Sequence, residues 1–84
     1  MSNFLSFVSR EGEQVRLPTA SYSKSLGTSK YEARRMLKTY EKALKKSDAS
    51  DHKRKRFQLE KGRYHRMLRS KENVEEAAFW CLLS

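Results

Sequence analysis

The chain has 84 residues and a formal net charge of +9, because 19 lysines and arginines outnumber 10 aspartates and glutamates. A chain of this length forms one small domain with a modest core. The charge excess predicts an acidic partner, which is nucleic acid, an anionic membrane surface or an acidic protein. The single cysteine excludes an intrachain disulfide and fits a reducing compartment.

The apolar runs are short. None approaches the roughly 20 residues that a membrane-spanning helix needs. Residues 2–9 are too few and too polar for a secretory signal peptide. We therefore expect a protein of the cytoplasm or nucleus that is neither secreted nor inserted in a membrane.

Residues 1–18 form an N-terminal arm with two apolar-rich flanks around a polar REGE segment. The pattern favours a β-hairpin that turns near Gly12. A short helix capped by Ser2 is the alternative, since the phenylalanines also fit helical spacing. Pro18 lacks a donor amide and restricts the residue before it, so it marks the end of the arm.

The next segment predicts a short helix and then a long one. Thr19 or Pro18 opens the short helix, and Gly27 provides the turn. The long helix covers residues 29–46, with Thr28 as its cap. Its apolar residues recur at spacings of three and four, which gives one apolar face. Cations recur every four residues on another side: Lys30, Arg34, Lys38 and Lys42.

A second basic helix is predicted to begin at Ser50 or Asp51, both of which are good capping residues. Its apolar stripe consists of Phe57, Tyr64, Met67 and Leu68. A hairpin turning at Lys61–Gly62 is the alternative for residues 56–68. Helix is favoured because residues 63–68 do not alternate between polar and apolar.

Residues 70–73 (SKEN) resemble a break, after which a third, apolar helix is predicted for residues 74–83. This helix would fill the core or form a homodimer interface through Phe79, Trp80, Leu82 and Leu83. Cys81 is expected to be a buried small hydrophobe rather than a nucleophile. Without the break, one long helix would run from Asp51, but Lys71 and Glu75 disfavour a coiled-coil seam.

The predicted fold is thus mainly α-helical and forms a single domain. The arm covers residues 1–18 and the basic helical part covers residues 19–84. Catalysis, metals and cofactors find no support, since His52, His65 and Cys81 lie at no metal-ligand spacing. We expect a protein that is not an enzyme and has no cofactor.

Residues 19–37 combine a short helix, a glycine turn and a basic helix. The relevant positions are Tyr22, Ser23, Leu26, Gly27, Ala33 and Met36. This segment resembles the helix-turn-helix of small bacterial or phage DNA-binding regulators. It departs from that pattern in having Ser23 rather than alanine, Thr28 rather than an aliphatic residue, and a longer second helix. The resemblance implies that Ser29, Lys30, Tyr31, Arg34 and Arg35 face the major groove.

A second cationic cluster lies in residues 53–69, where 8 of 17 residues are lysine or arginine. Such a cluster favours salt-dependent phosphate binding. Together with the long helix, it predicts further nucleic-acid contacts at Lys38, Lys42, Lys53, Arg54, Arg56, Arg63, Arg66 and Arg69. Charge runs are also commonly a solvated basic face.

The predicted function is that of a small DNA-binding regulator, with DNA favoured over RNA as partner. One alternative is a small basic phage or viral protein that inhibits or adapts a larger host protein through an acidic surface. Another is a basic helical hairpin that grips RNA without reading its sequence.

Overall fold

The computed structural model describes residues 3–83, and within residues 71–80 it describes the backbone only. In chain order the elements are β1 (Phe4–Val8), β2 (Gln14–Pro18), α1 (Ala20–Ser25), α2 (Lys30–Lys45) and α3 (Asp51–Leu83). The mainly helical fold with an N-terminal hairpin is confirmed.

The two strands pair antiparallel, with Leu5 opposite Leu17 and Phe7 opposite Val15. Alternate residues of β1 face opposite sides of the hairpin, so Leu5 and Phe7 are buried while Ser6 and Val8 are exposed. The loop turns at Gly12, whose φ of 83° is readily adopted by glycine. This arrangement excludes the alternative helix in the arm.

Helix α1 begins where the sequence predicts, because the Thr19 hydroxyl accepts a hydrogen bond from the Tyr22 amide at 3.3 Å. Gly27 follows with a φ of 72° and redirects the chain. The predicted cap of α2 is wrong by one residue. Ser29, not Thr28, accepts the Glu32 amide at 3.2 Å, and Thr28 is buried instead. The helix therefore begins at Lys30.

Helix α3 begins after Ser50, whose hydroxyl accepts the Lys53 amide at 3.4 Å. Residues 56–68 are helical, as favoured, and Gly62 lies inside the helix. The predicted break at residues 70–73 and the separate third helix are wrong, since α3 continues to Leu83. Those four residues include no proline or glycine, so each extends the hydrogen-bond ladder once the helix exists.

The core lies where the hairpin, α1 and α2 meet the first half of α3. The hairpin packs on α2 through β2, and both α1 and α2 pack on α3. An aromatic chain crosses these elements: the rings of Phe7 and Tyr40 are 5.3 Å apart, and those of Tyr40 and Phe57 are 5.4 Å apart. Among the side chains described for α3, burial ends at Leu68.

Beyond that point α3 sets the long dimension of the molecule, which measures 53 × 22 × 19 Å. A helix of this length spans about 50 Å. Near its end Cys81 is exposed, so the expectation that it is a buried hydrophobe is wrong for the single chain. The adjacent Leu82 and Leu83 are also exposed, and they do not fill the core.

Candidate nucleic-acid interface

An open groove of 610 Å³ runs between α2 and α3. Its lining combines cations from both helices with two buried leucines. The lining residues are Arg34, Leu37, Lys38, Glu41, Lys61, His65, Leu68 and Arg69. The groove is therefore the place where the two basic segments of the sequence meet.

Helical spacing explains which cations reach the groove. Arg34 and Lys38 are four residues apart, so they lie one above the other on the side of α2 next to buried Leu37. On α3 a four-residue spacing likewise carries Lys61 to His65 and then to Arg69. The two rows face each other across the groove.

The groove is electropositive and contains one acid. Four lining residues are lysine or arginine and one is glutamate, which leaves an excess of three positive charges (four minus one). The ammonium of Lys61 donates to Glu41 Oε1 at 2.9 Å. This hydrogen bond is the main reason why the pKa of Glu41 lies below its usual value. Lys61 is thus held across the helix pair by an internal anion.

The other predicted contacts of α2 lie away from the groove. Tyr31 is 83% exposed and lies outside the core. Arg35 and Lys42 are exposed beside the hairpin, where Arg35 borders a cleft with Val15 and Lys42 borders one with Glu13. Cations of α2 thus face two directions, the groove on one side and the hairpin on the other.

The start of α2 has a structural role. The hydroxyl of Ser29 caps the helix by accepting the Glu32 amide. Lys30 is half-buried in the first turn. The groove lining includes neither residue.

The predicted cluster of α3 does not form a single surface. The Arg54 guanidinium donates to the Ser47 carbonyl at 3.0 Å and so fastens the loop between α2 and α3. Arg63 pairs with Glu60 at 3.3 Å. Three further predicted residues are exposed outside the groove, namely Lys53, Arg56 and Arg66. Of the predicted contacts in α3, Arg69 lines the groove.

The carboxylate of Glu60 is buried and has a structural role. It is only 4% exposed, and its Oε1 accepts the Ala20 amide at 2.6 Å. That amide is in the first turn of α1, where a helix has unsatisfied donors and favours a negative charge. Glu60 therefore joins α1 to α3 and is not part of the groove.

Sequence reasoning missed the pairing of Glu41 with Lys61 and the leucine floor formed by Leu37 and Leu68. Lys61 was part of the cationic cluster, but no local pattern relates it to an acid 20 residues earlier. His65 is exposed on the groove wall. These features follow only from the packing of α2 on α3.

The residues around the Gly27 turn differ in burial. Ser23 is completely buried and Ala33 is buried. Leu26, just before the glycine, is 62% exposed. The principal packing of α1 is on α3, while α2 packs on α3 and β2. The basic helix is thus braced mainly by α3 and the hairpin.

The structure describes the side chains of two of the four residues predicted to form the dimer interface. Leu82 is 86% exposed and Leu83 is 64% exposed. The side chains of Phe79 and Trp80 lie outside the described residues. The described pair places exposed apolar surface on the last turn of α3.

Over the part of the chain that the structure describes, no cluster of three or more acidic, histidine or cysteine side chains is arranged to hold a metal ion. No helix there combines the length and apolar character needed to cross a membrane. No protein family, curated protein or solved structure matches this chain.

Proposed function

We propose that the protein binds nucleic acid through the cationic surface of α2 and α3, with duplex DNA favoured over RNA. The supporting observation is the groove, where Arg34, Lys38 and Arg69 converge with Lys61 although they come from two separate basic segments. A surface of this kind binds phosphates by releasing condensed counterions, and its affinity falls steeply with salt.

In the proposed complex, the protein contacts mainly the phosphate backbone of the nucleic acid. Exposed lysines and arginines on the groove and on the hairpin side of α2 can neutralise phosphates on adjacent strands. Phosphate contacts fix position and orientation on a duplex and carry no sequence information by themselves. A small regulator of this type would act by occupying DNA inside the cell, in the cytoplasm or the nucleus.

Base reading by the start of α2 is a second candidate, supported by Tyr31, which is 83% exposed on the same helix as two arginines. Arginine reads guanine by paired hydrogen bonds in the major groove. Ser29→Asp separates the two modes, because aspartate caps a helix as well as serine does but adds a negative charge. Base reading predicts a large loss of DNA binding in this variant, whereas binding through the α2–α3 groove predicts a small one.

The exposed apolar end of α3 supports a further proposal, a homodimer in which a second copy covers Leu82 and Leu83. Exposed apolar surface gains free energy when another apolar surface covers it. Two-fold pairing would cover this end in both copies and present two basic surfaces to one duplex.

The function is tested by a panel of band-shift titrations at several salt concentrations. Labelled duplex DNA, duplex RNA and single strands are compared, with heparin as competitor. We expect duplex DNA to bind most tightly and the logarithm of the binding constant to fall linearly with the logarithm of salt concentration. Absence of binding to every nucleic acid at about 0.1 M salt would overturn the proposal. In that case, an acidic surface on a larger protein, of the kind that phage and viral inhibitors target, becomes the leading explanation of the net charge.

A further inference from the structure

The groove between α2 and α3 has two cationic walls, and its net charge of +3 comes from four cations and one acid. Lys38 lies on one wall, and Lys61 and Arg69 lie on the other. An anion in the groove is therefore approached from both sides. The hairpin side of α2 also has cations from two elements, but there Arg10 is paired with Asp48 and Arg16 stacks on the Phe4 ring. Two-sided approach favours a ligand that carries a row of negative charges.

The dimensions of the rows suit a nucleic-acid strand. Lys61 and Arg69 are eight residues apart, which corresponds to about 12 Å along α3. The phosphates of one duplex strand advance about 3.4 Å each along the helix axis. With α3 along the duplex axis, the wall of the groove would cover roughly three phosphates.

The floor strengthens these contacts. Leu37 and Leu68 are each 6% exposed and separate the cations from the aqueous phase on one side. Charge interactions beside a low-dielectric surface are stronger than those in open solvent. A phosphate in the groove would thus be bound more tightly than a phosphate beside an isolated exposed lysine.

Glu41 opposes anion binding at this place. Its carboxylate accepts from Lys61 at 2.9 Å, and the two side chains are 25% and 30% exposed. A phosphate that contacts Lys61 must compete with this carboxylate and is also repelled by it. In the free protein, the Glu41 carboxylate thus occupies the ammonium group that a phosphate would otherwise contact.

We propose that the α2–α3 groove is the subsite that binds the phosphate backbone of one nucleic-acid strand, and that Glu41 limits its affinity by retaining Lys61. This inference rests on the proposed nucleic-acid function and locates it on one side of α2. The ligand is a phosphodiester strand rather than free phosphate, because the cations form two rows rather than one cluster.

The location is tested with two double variants that remove equal charge. Lys38→Ala with Arg69→Ala removes one cation from each wall of the groove, whereas Arg35→Ala with Lys42→Ala removes two exposed cations beside the hairpin. Duplex DNA binding is measured by fluorescence anisotropy over a salt series. We expect the groove variant to lose roughly 10- to 30-fold in affinity near 0.15 M salt and about 1.8 units of salt slope. For the hairpin-side variant, we expect the loss in affinity and the loss in salt slope each to be less than half of those of the groove variant.

The role of Glu41 is tested with Glu41→Gln, and Glu11→Gln is the control because it makes the same charge change in the exposed hairpin loop. We expect Glu41→Gln to raise affinity roughly fivefold and the salt slope by about 0.9, as one added phosphate contact would. The control is expected to change affinity less than twofold. Circular dichroism and urea unfolding establish that each variant is folded.

The outcomes separate the inference from the function on which it rests. If wild-type protein binds no nucleic acid, the proposed function itself fails. If it binds but the hairpin-side variant loses as much affinity as the groove variant, the groove is not the subsite. Unchanged binding by Glu41→Gln would overturn the limiting role of the acid. Competition by polyglutamate as effective as that by duplex DNA would instead favour an acidic protein partner, and inorganic phosphate is expected to compete poorly.

Discussion

The hydroxyl groups of Ser23 and Tyr64 lie 2.8 Å apart, and both residues are completely shielded from solvent. The Tyr64 hydroxyl also donates to the Pro18 carbonyl. Since its single proton is used there, Ser23 must be the donor to the Tyr64 oxygen. This chain of two hydrogen bonds joins α1, α3 and the end of β2 behind the basic surface.

Tyr64→Phe is therefore expected to destabilise the protein by about 1–3 kcal/mol, because it leaves the buried Ser23 hydroxyl and the Pro18 carbonyl without this partner. Urea unfolding followed by circular dichroism measures the change. Tyr31→Phe is the control, because Tyr31 is 83% exposed and its change should stay within about 0.5 kcal/mol. Equal stability of Tyr64→Phe and wild type would show that the hydrogen-bond chain contributes nothing.

Alkaline pH is expected to weaken the fold through buried tyrosines. Burial raises the pKa of Tyr40 above its ordinary value of 10.0. The unfolded chain then loses this proton first, so stability is full below pH 10 and falls as the pH rises toward the folded-state pKa. Tyr40→Phe keeps the ring that packs between Phe7 and Phe57 but removes the ionisable group.

We expect Tyr40→Phe to lose less stability than wild type between pH 8 and pH 10.5, as measured by urea unfolding at each pH. Tyr31→Phe, which removes an exposed phenol, should follow the wild-type curve. Parallel curves for Tyr40→Phe and wild type would contradict the assignment.

Acid pH is expected to act through Glu41. The hydrogen bond from Lys61 lowers the pKa of Glu41. The contribution of this carboxylate to folding stability is therefore complete above the ordinary carboxyl pKa of 4.5, and it is lost as the pH falls through the pKa of the folded state. The pair is partly exposed, and such pairs contribute about 0.2–1 kcal/mol. Wild type should exceed Glu41→Gln by this amount at pH 7, and the difference should shrink below pH 4.5. A difference that stays constant down to pH 2.5 would exclude this origin.

Local patterns in the sequence predicted much of the fold. The hairpin follows from apolar flanks around Gly12, and α2 follows from spacings of three and four. Tertiary packing decided the details. Thr28 and Ser29 are both capable caps, and burial of Thr28 leaves the cap to Ser29. The prediction of a break at residues 70–73 was wrong, because mild helix formers do not end a helix that is already formed.

The candidate site was less predictable. Composition identifies the cations, but helical phase and packing decide which of them share a surface. Arg34, Lys38 and Arg69 meet in the groove, whereas Arg54 and Arg63 are engaged by Ser47 and Glu60. The Glu41–Lys61 pair joins residues 20 positions apart on different helices, so it depends on how those helices pack.

The proposed dimer is tested at the last turn of α3. Leu82 is 86% exposed in the single chain, so Leu82→Asp should leave the fold of each chain intact. If a second copy covers residue 82, the variant would bury an unpaired aspartate at the interface. The cost of burying that charge should dissociate the dimer. Multi-angle light scattering should then report a mass near the 9.9 kDa of one chain for the variant and twice that for wild type. Leu59→Asp is the matched control, because Leu59 is a 59% exposed leucine on the same helix within the folded body. A monomeric wild type at high concentration, or a Leu82→Asp variant that still associates, would exclude this interface.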